Sequence, residues 1–133
     1  MSQENVELVR AGLAAWAAGD LEGVLAMVDP DCVVDATRNV FNPGTYVGHD
    51  GMRKLWAGMD ETWAEMRVEP TEFIDAGDRV AVIGRLIGKG RGSGVEVERF
   101  NGQVFTVREG RLVRFEFGFT DREALLEAAG PSE

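Results

Sequence analysis

Residues 95–119 read VEVERFNGQVFTVREGRLVRFEFGF, two apolar-rich runs joined at Arg108-Glu109-Gly110. In the second run Val113, Phe115, Phe117 and Phe119 share one parity, and Leu112, Arg114, Glu116 and Gly118 share the other. Such a period of two marks a strand with one buried face. In the first run Phe105 and Val107 extend the buried face, and Arg99, Asn101 and Gln103 stand behind them on the same parity. One face of the predicted hairpin is therefore apolar at its closed end and polar further along. Buried polar groups are costly without partners, so this pattern points to a cavity. A bulge at Gly102 would instead turn Arg99 and Asn101 outward.

Before the hairpin, Gly90–Gly94 (GRGSG) is a turn between strands. No helix follows it, so it lacks the helix N-terminus that a phosphate loop needs. Arg79 to Lys89 reads as a strand, Ala76-Gly77-Asp78 as a turn, and residues 68 to 75 as an edge strand confined there by Pro70. A helix is predicted from about Asp50 to Met66, with Met52, Leu55, Trp56, Met59 and Trp63 at helical spacing. That bulky face reads first as core packing and second as ligand contact. Residues 37 to 47, rich in Asn, Pro and Gly, read as a loop long enough to be a lid or pocket rim. Phe41 and Tyr46 are its large side chains, and Tyr46 is expected at the ligand.

Cys32 to Ala36 is a short strand candidate. Ahead of it, residues 3 to 18 form a helix through Val6, Val9, Leu13 and Trp16, capped by Ser2 and stopped by Gly19. A second short helix, capped by Asp20, carries Val24, Leu25 and Val28 and is closed by Pro30. After the hairpin, Asp121 to Ala128 is a final helix, capped by Thr120 and ended by Gly130-Pro131. Helices segregated from a meander of strands predict a single α+β domain over residues 1–133.

The 133 residues carry a net charge of −9 with no basic patch, so neither nucleic acid nor an anionic membrane surface is an expected partner. The single cysteine, Cys32, permits no internal disulfide and no cysteine metal cluster, and reads as a small buried residue. His49 is the single histidine, so no His pair can ligate a metal. No metal and no cofactor is expected. The absence of a basic N-terminal region followed by an apolar segment gives the expectation of a soluble, cytoplasmic protein.

The order of elements and several local motifs resemble the SnoaL-like branch of the nuclear-transport-factor-2-like (NTF2-like) superfamily. The residues carrying the resemblance are Ala18-Gly19-Asp20-Leu21, Asp29-Pro30-Asp31, Gly48-His49-Asp50-Gly51, Phe73 to Val80 (FIDAGDRV) and Arg108 to Val113 (REGRLV). The resemblance implies a cone in which a curved antiparallel sheet wraps around three to four helices and leaves an apolar pocket at its open end. The superfamily includes ketosteroid isomerases, polyketide cyclases, dehydratases and epoxide hydrolases, and a shared fold does not choose among them. Against ketosteroid isomerases, the oxyanion-stabilising tyrosine falls at Gly12, the general-base aspartate at Ala36 and the protonated aspartate near Gln103. Against polyketide cyclases, the last-strand carboxylate falls at Phe117 and the histidine near Gln103. Both chemistries thus lack their acid/base groups at the matching positions.

Two titratable residues remain as catalytic candidates. Asp35, one residue from the matched position, faces the opposite side of a strand unless the strand end twists. His49, at the entry to the third helix, has a pKa suited to proton transfer but reads first as a rim side chain. The expected cavity lining is Trp16, Trp56, Trp63, Phe105, Phe115, Phe117 and Phe119. Its polar wall is Arg99, Asn101 and Gln103, with Arg99 seeking a carboxylate from either Asp35 or a ligand. The leading expectation is a pocket protein binding a small apolar or weakly acidic molecule. The second is a cofactor-free enzyme of isomerase, cyclase, dehydratase or hydrolase type using Asp35 or His49. The third is a dimeric assembly module without a ligand. An open pocket lacking a carboxylate favours the first, Asp35 pointing into it the second, and an aromatic-filled pocket the third. The resemblance and the outward parity of Leu112 and Gly118 also imply a homodimer packed sheet to sheet.

Overall fold

A computed structural model describes residues 2–130; the Ser2 side chain expected to cap the first helix, and Pro131, lie outside the described residues. The elements in order are α1 (Ser2–Ala17), α2 (Leu21–Ala26), β1 (Val28–Asp35), β2 (Thr45–Val47), α3 (Gly48–Thr62), β3 (Trp63–Ala76), β4 (Arg79–Gly90), β5 (Glu96–Arg108), β6 (Arg111–Phe119) and α4 (Arg122–Ala129). The strands form one open, curved sheet in the order β2-β1-β6-β5-β4-β3. Every neighbouring pair is antiparallel except β1 and β6, which run parallel.

Local chemistry accounts for the element ends. Gly19, at φ 74°, ends α1, and the Asp20 carboxylate accepts from the Gly23 amide at 2.9 Å to start α2. The β5–β6 hairpin closes on Glu109 and Gly110, both with φ above +50°, as a tight turn between twisted strands requires. The cap of α4 is Asp121 rather than Thr120: its side chain accepts from the Ala124 amide at 2.8 Å.

Four boundaries differ from expectation, each for a tertiary reason. The second helix does not run to Pro30 but ends at Ala26, and β1 begins at Val28 because the Leu112 amide donates to the Met27 carbonyl and draws the chain onto β6. The ladder is then irregular between Val28 and Val33, around Pro30, which has no amide hydrogen to give it. The loop at 37 to 47 ends in β2, paired with β1. The third helix stops at Thr62 instead of Met66, because Trp63 is already β-paired with Gly90 and buries its ring over Gly88. A Cβ at Gly88 would lie 2.8 Å from that ring.

Pairing between β4 and β5 is unbroken from Arg79↔Thr106 to Lys89↔Glu96, so Gly102 does not bulge. Arg99, Asn101, Gln103, Phe105 and Val107 keep one face. The bulges lie on β6. The first makes Val113 extra between the pairs Val107↔Leu112 and Thr106↔Arg114, and the second inserts a residue at Phe117–Gly118. Each reverses the parity of what lies beyond it. Leu112 therefore turns into the main core, 2% exposed, while Phe115 and Phe117 also face inward. Phe119 is carried to the opposite face, into a second core with Ala81, Ile83, Val104, Leu125 and Ala129 beneath α4. The single parity expected for Val113 through Phe119 thus holds only at Phe115 and Phe117. The outward pair expected to support a dimer is also gone, since Leu112 is core and Gly118 lies against the loop at Arg38 and Asn39.

The main core lies between the other face of the sheet and α1 to α3, around Val9, Met52, Leu55, Val82, Phe105 and Phe115. The fork of Arg122 onto Glu72, at 2.7 and 3.0 Å, ties α4 to the edge strand β3.

Truncating Phe115 to Ala should cost roughly 3–5 kcal/mol and Leu112 to Ala roughly 2–5 kcal/mol. Val47→Ala, at a side chain on the outer face, should stay within about 0.5 kcal/mol. Urea melts in which Leu112→Ala behaves like Val47→Ala would place the first bulge elsewhere.

Candidate functional site

A cavity of about 610 Å³ opens between the helices and the inner face of the sheet. Its size suits a ligand of several rings. Gly12, Leu13 and Trp16 line it from α1, and Met52, Trp56 and Met59 from α3. Phe73, Leu86, Phe105, Phe115 and Phe117 form the sheet wall. The aromatic rings meet edge to face: Trp16 and Trp56 at 4.7 Å between centroids, and Phe105, Phe115 and Phe117 in a triangle of 5.6 to 6.3 Å. The geometry is the favoured one for such rings.

All the aromatic residues expected round the cavity contribute to its lining, although Trp63 does so from the start of β3 and Phe119 from the far side of the second bulge. Arg99, Asn101 and Gln103 stand in one row along β5, with Arg99 exposed at the mouth. Asn101 Nδ2 and Gln103 Oε1 are buried and have no hydrogen-bond partner. A buried polar atom left unpaired costs about 1–3 kcal/mol, so these two residues of the cavity lining carry unmet hydrogen-bonding capacity.

Three expected site residues lie outside the lining. Tyr46 turns under α3, where its main chain and Cβ press on Gly51, and its hydroxyl donates to the Asn42 carbonyl at 3.0 Å. The His49 ring, with Nε2 2.9 Å from the Val28 carbonyl, serves as a main-chain donor on the other side of α3's first turn. Asp35 is on the outer face, paired across the ladder with Glu116. Its Oδ1 accepts from Thr37 Oγ1 at 2.6 Å and from the Thr37 amide at 3.1 Å, and its Oδ2 lies 3.4 Å from Arg38 and 3.7 Å from Arg114. The Thr37 hydroxyl bond, then the Thr37 amide and the two arginines, hold the Asp35 carboxyl below its usual value of 3.8. Neither Asp35 nor His49 reaches the cavity, because strand parity and main-chain bonding direct both away from it.

Among the described residues, the titratable groups of the lining are Arg10, Arg38, Asp60, Arg67 and Arg99. The positions matching the acid/base groups of the isomerases and cyclases hold Gly12, Ala36, Gln103 and Phe117, and three of these four line the cavity without supplying a carboxylate or imidazole. Among the described residues, no group of three or more His, Cys, Asp or Glu side chains is placed to hold a metal ion.

The polar members of the mouth loop carry no periodic signal in the sequence. Arg38 stacks its guanidinium 4.3 Å from the Phe119 ring and pairs with Asp35 and, at 4.0 Å, with Glu116. Glu116, on the outer face of β6, is only 15% exposed within this cluster. Phe41 packs on Trp63 at 5.0 Å, and Thr62 Oγ1 donates to Asn42 Oδ1 at 3.1 Å, so the loop is strapped across the mouth at both ends. Gly118 is its seat: at φ 87°, with a virtual Cβ 2.6 Å from Asn39 Oδ1 and 2.9 Å from Arg38 Cβ, it leaves no room for a side chain. The length of 37 to 47 pointed to a rim; no periodicity in the loop could have singled out Arg38.

Gly118→Ala should destabilise by about 1–3 kcal/mol through strain and collision with the loop. Asp35→Asn should cost about 1 kcal/mol at neutral pH. Because the folded Asp35 pKa is depressed, its contribution is fully present above pH 3.8 and is lost as pH falls through the lower folded value. Thermal melts of native protein and Asp35→Asn should therefore converge at acid pH; a gap that stays constant down to the acid limit would rule out this role for the carboxylate.

The SnoaL-like domain family model matches residues 9–115. No curated protein matches the chain. An NTF2-like protein of unknown function from Burkholderia pseudomallei K96243 is 31% identical, over 89% of this chain and 91% of that one, with a TM-score of 0.79. TerC, co-crystallised with polyporic acid, is 29% identical over 95% of this chain and 98% of its own, with a TM-score of 0.77. Bal32a, from a soil-derived mobile gene cassette, shares the fold at a TM-score of 0.80, with 23% identity over 90% of this chain and 92% of that one. With the family match spanning most of the chain and the cone geometry in place, this protein belongs to the SnoaL-like domain family of the NTF2-like superfamily.

Proposed function

We propose that this protein binds a small, largely apolar molecule in its cone, oriented by polar contacts to Asn101 and Gln103. The observation that carries the reading is the pair of buried, unpartnered amide atoms on the wall of an aromatic cavity. A ligand hydroxyl or carbonyl would satisfy them, and the tryptophan and phenylalanine faces would take up its apolar body. The likeness to TerC, co-crystallised with polyporic acid, supports the same kind of occupant.

An isomerase, cyclase, dehydratase or hydrolase built on Asp35 or His49 draws no support from the geometry, since proton transfer needs the catalyst within hydrogen-bond reach of the substrate. A cavity of this volume gives no support to a purely structural assembly role either.

The test is native mass spectrometry of the protein after exposure to cell extract. The expected result is a discrete small-molecule mass retained by native protein and depleted about tenfold or more in the Asn101→Leu/Gln103→Leu double variant. Equal retention by both proteins, or no retained mass, would sink the reading.

A further inference from the structure

The charges around the mouth are not equivalent. Four arginines and one aspartate border the cavity in a chain whose net charge is −9. Arg10 has Glu7 at 3.8 Å, Arg38 has Asp35 at 3.4 Å, and Arg67 has Glu69 at 3.0 Å. Asp60 lies 4.0 Å from Arg91. Arg99 alone among these arginines has no carboxylate within 4 Å among the described residues. Of the two partners the sequence offered it, a ligand and Asp35, the second is engaged by Arg38 and Arg114.

We infer that the ligand is an organic anion: an aromatic or polycyclic body bearing one acid group that is ionised near neutral pH and held at the mouth by Arg99. The inference rests on the binding reading above and adds the charge and the orientation of the occupant. Arg99 and Asn101 are neighbours on the inner face of β5, about 7 Å apart along the strand. Arg99 offers only donors, and the unpartnered Asn101 atom is also a donor, Nδ2. A guanidinium at the entrance, with an unpartnered N–H donor buried one step further in, matches an acid group such as a carboxylate or a delocalised acidic enol. Deeper in, the unpartnered Gln103 atom is an acceptor, Oε1, so the body of the ligand carries a hydroxyl or N–H there. Beyond it the wall is aromatic, which fixes the apolar end inward and the acid outward. The surrounding negative net charge opposes loose adsorption of anions, so an uncompensated cation at this one point acts as a selector.

The protein carries its own reporter, since all three tryptophans line the cavity. The experiment is titration with biphenyl-4-carboxylate and with its methyl ester at low ionic strength, followed by tryptophan fluorescence, on native protein and Arg99→Met. Arg99 is exposed, so the variant keeps the fold, and the methionine keeps much of the stem while removing the charge. The acid is expected to bind native protein about tenfold tighter than the ester. Arg99→Met should bring the acid to the level of the ester, leave the ester unchanged, and abolish the salt sensitivity of acid binding. Equal affinity of native protein for acid and ester overturns this inference and leaves the binding reading standing. A preference for the acid that survives in Arg99→Met overturns the assignment to Arg99. Binding of neither probe by any form of the protein counts against both this inference and the reading beneath it.

Discussion

The uninterrupted ladder between β4 and β5 is the constraint on which the site depends. Because no residue is inserted from Arg79↔Thr106 to Lys89↔Glu96, every second residue of β5 from Arg99 to Val107 faces the helices. One strand thereby supplies a cation at the mouth, two amides on the wall and apolar residues at the closed end. Had the extra residue fallen at Gly102, the amide at 101 and the guanidinium at 99 would have turned outward, leaving the Gln103 amide as the one polar group of that row. The insertions fall on β6 instead. There they do the opposite service: one turns Leu112 into the core, and the other hands Phe119 to the second core, so that a single strand feeds both faces of the sheet.

That division explains how a chain of modest size covers both sides of a strongly curved sheet. Helices α1 to α3 pack within the curve but leave the cavity unfilled, and α4 covers the far face over Val104, Ala81 and Phe119. The unfilled volume and the two unpaired amide atoms both cost stability relative to a packed, wholly apolar cone. Such costs gathered in one place are what the proposed ligand would offset.

The charged cluster on the outer face meets the cavity at its mouth through Arg38. Asp35 and Glu116 bracket Arg38 and Arg114, and Arg38 leads directly into the loop that crosses the mouth. The carboxylates are well shielded, at 18% and 15% exposure, which strengthens the pairing relative to a free surface ion pair. Asp35 is thus a residue of loop placement: it ties down Thr37 and Arg38, and through them the strap that continues to Phe41 and Asn42. Its chemistry is the same carboxylate chemistry that made it a catalytic candidate, spent on Thr37 and two arginines instead of on a substrate.

By itself the sequence determined the α+β class, the hairpin at Arg108 to Arg111, the caps at Gly19 and Asp20, and the inward pair Phe105 and Val107, while the facing of Arg99 and Asn101 stayed open until the β4–β5 ladder excluded a bulge at Gly102. Each of these rests on local chemistry or on an unbroken period, which a one-dimensional reading can follow. Tertiary structure alone decided the two bulges of β6, because an inserted residue leaves no mark in composition and only pairing with β5 reveals it. Those bulges took Leu112 out of its expected outward face and Phe119 out of its expected inward one. The end of α3 at Thr62 was likewise decided by the burial of Trp63 over Gly88, a contact far along the chain that outweighs a helical spacing continuing through Trp63. The position of Asp35 off the cavity follows the strand parity legible in the sequence, whereas those of His49 and Tyr46 follow from partners at Val28 and Gly51. Such partners exist only once the sheet has closed around the helices, and no spacing in the sequence encodes them.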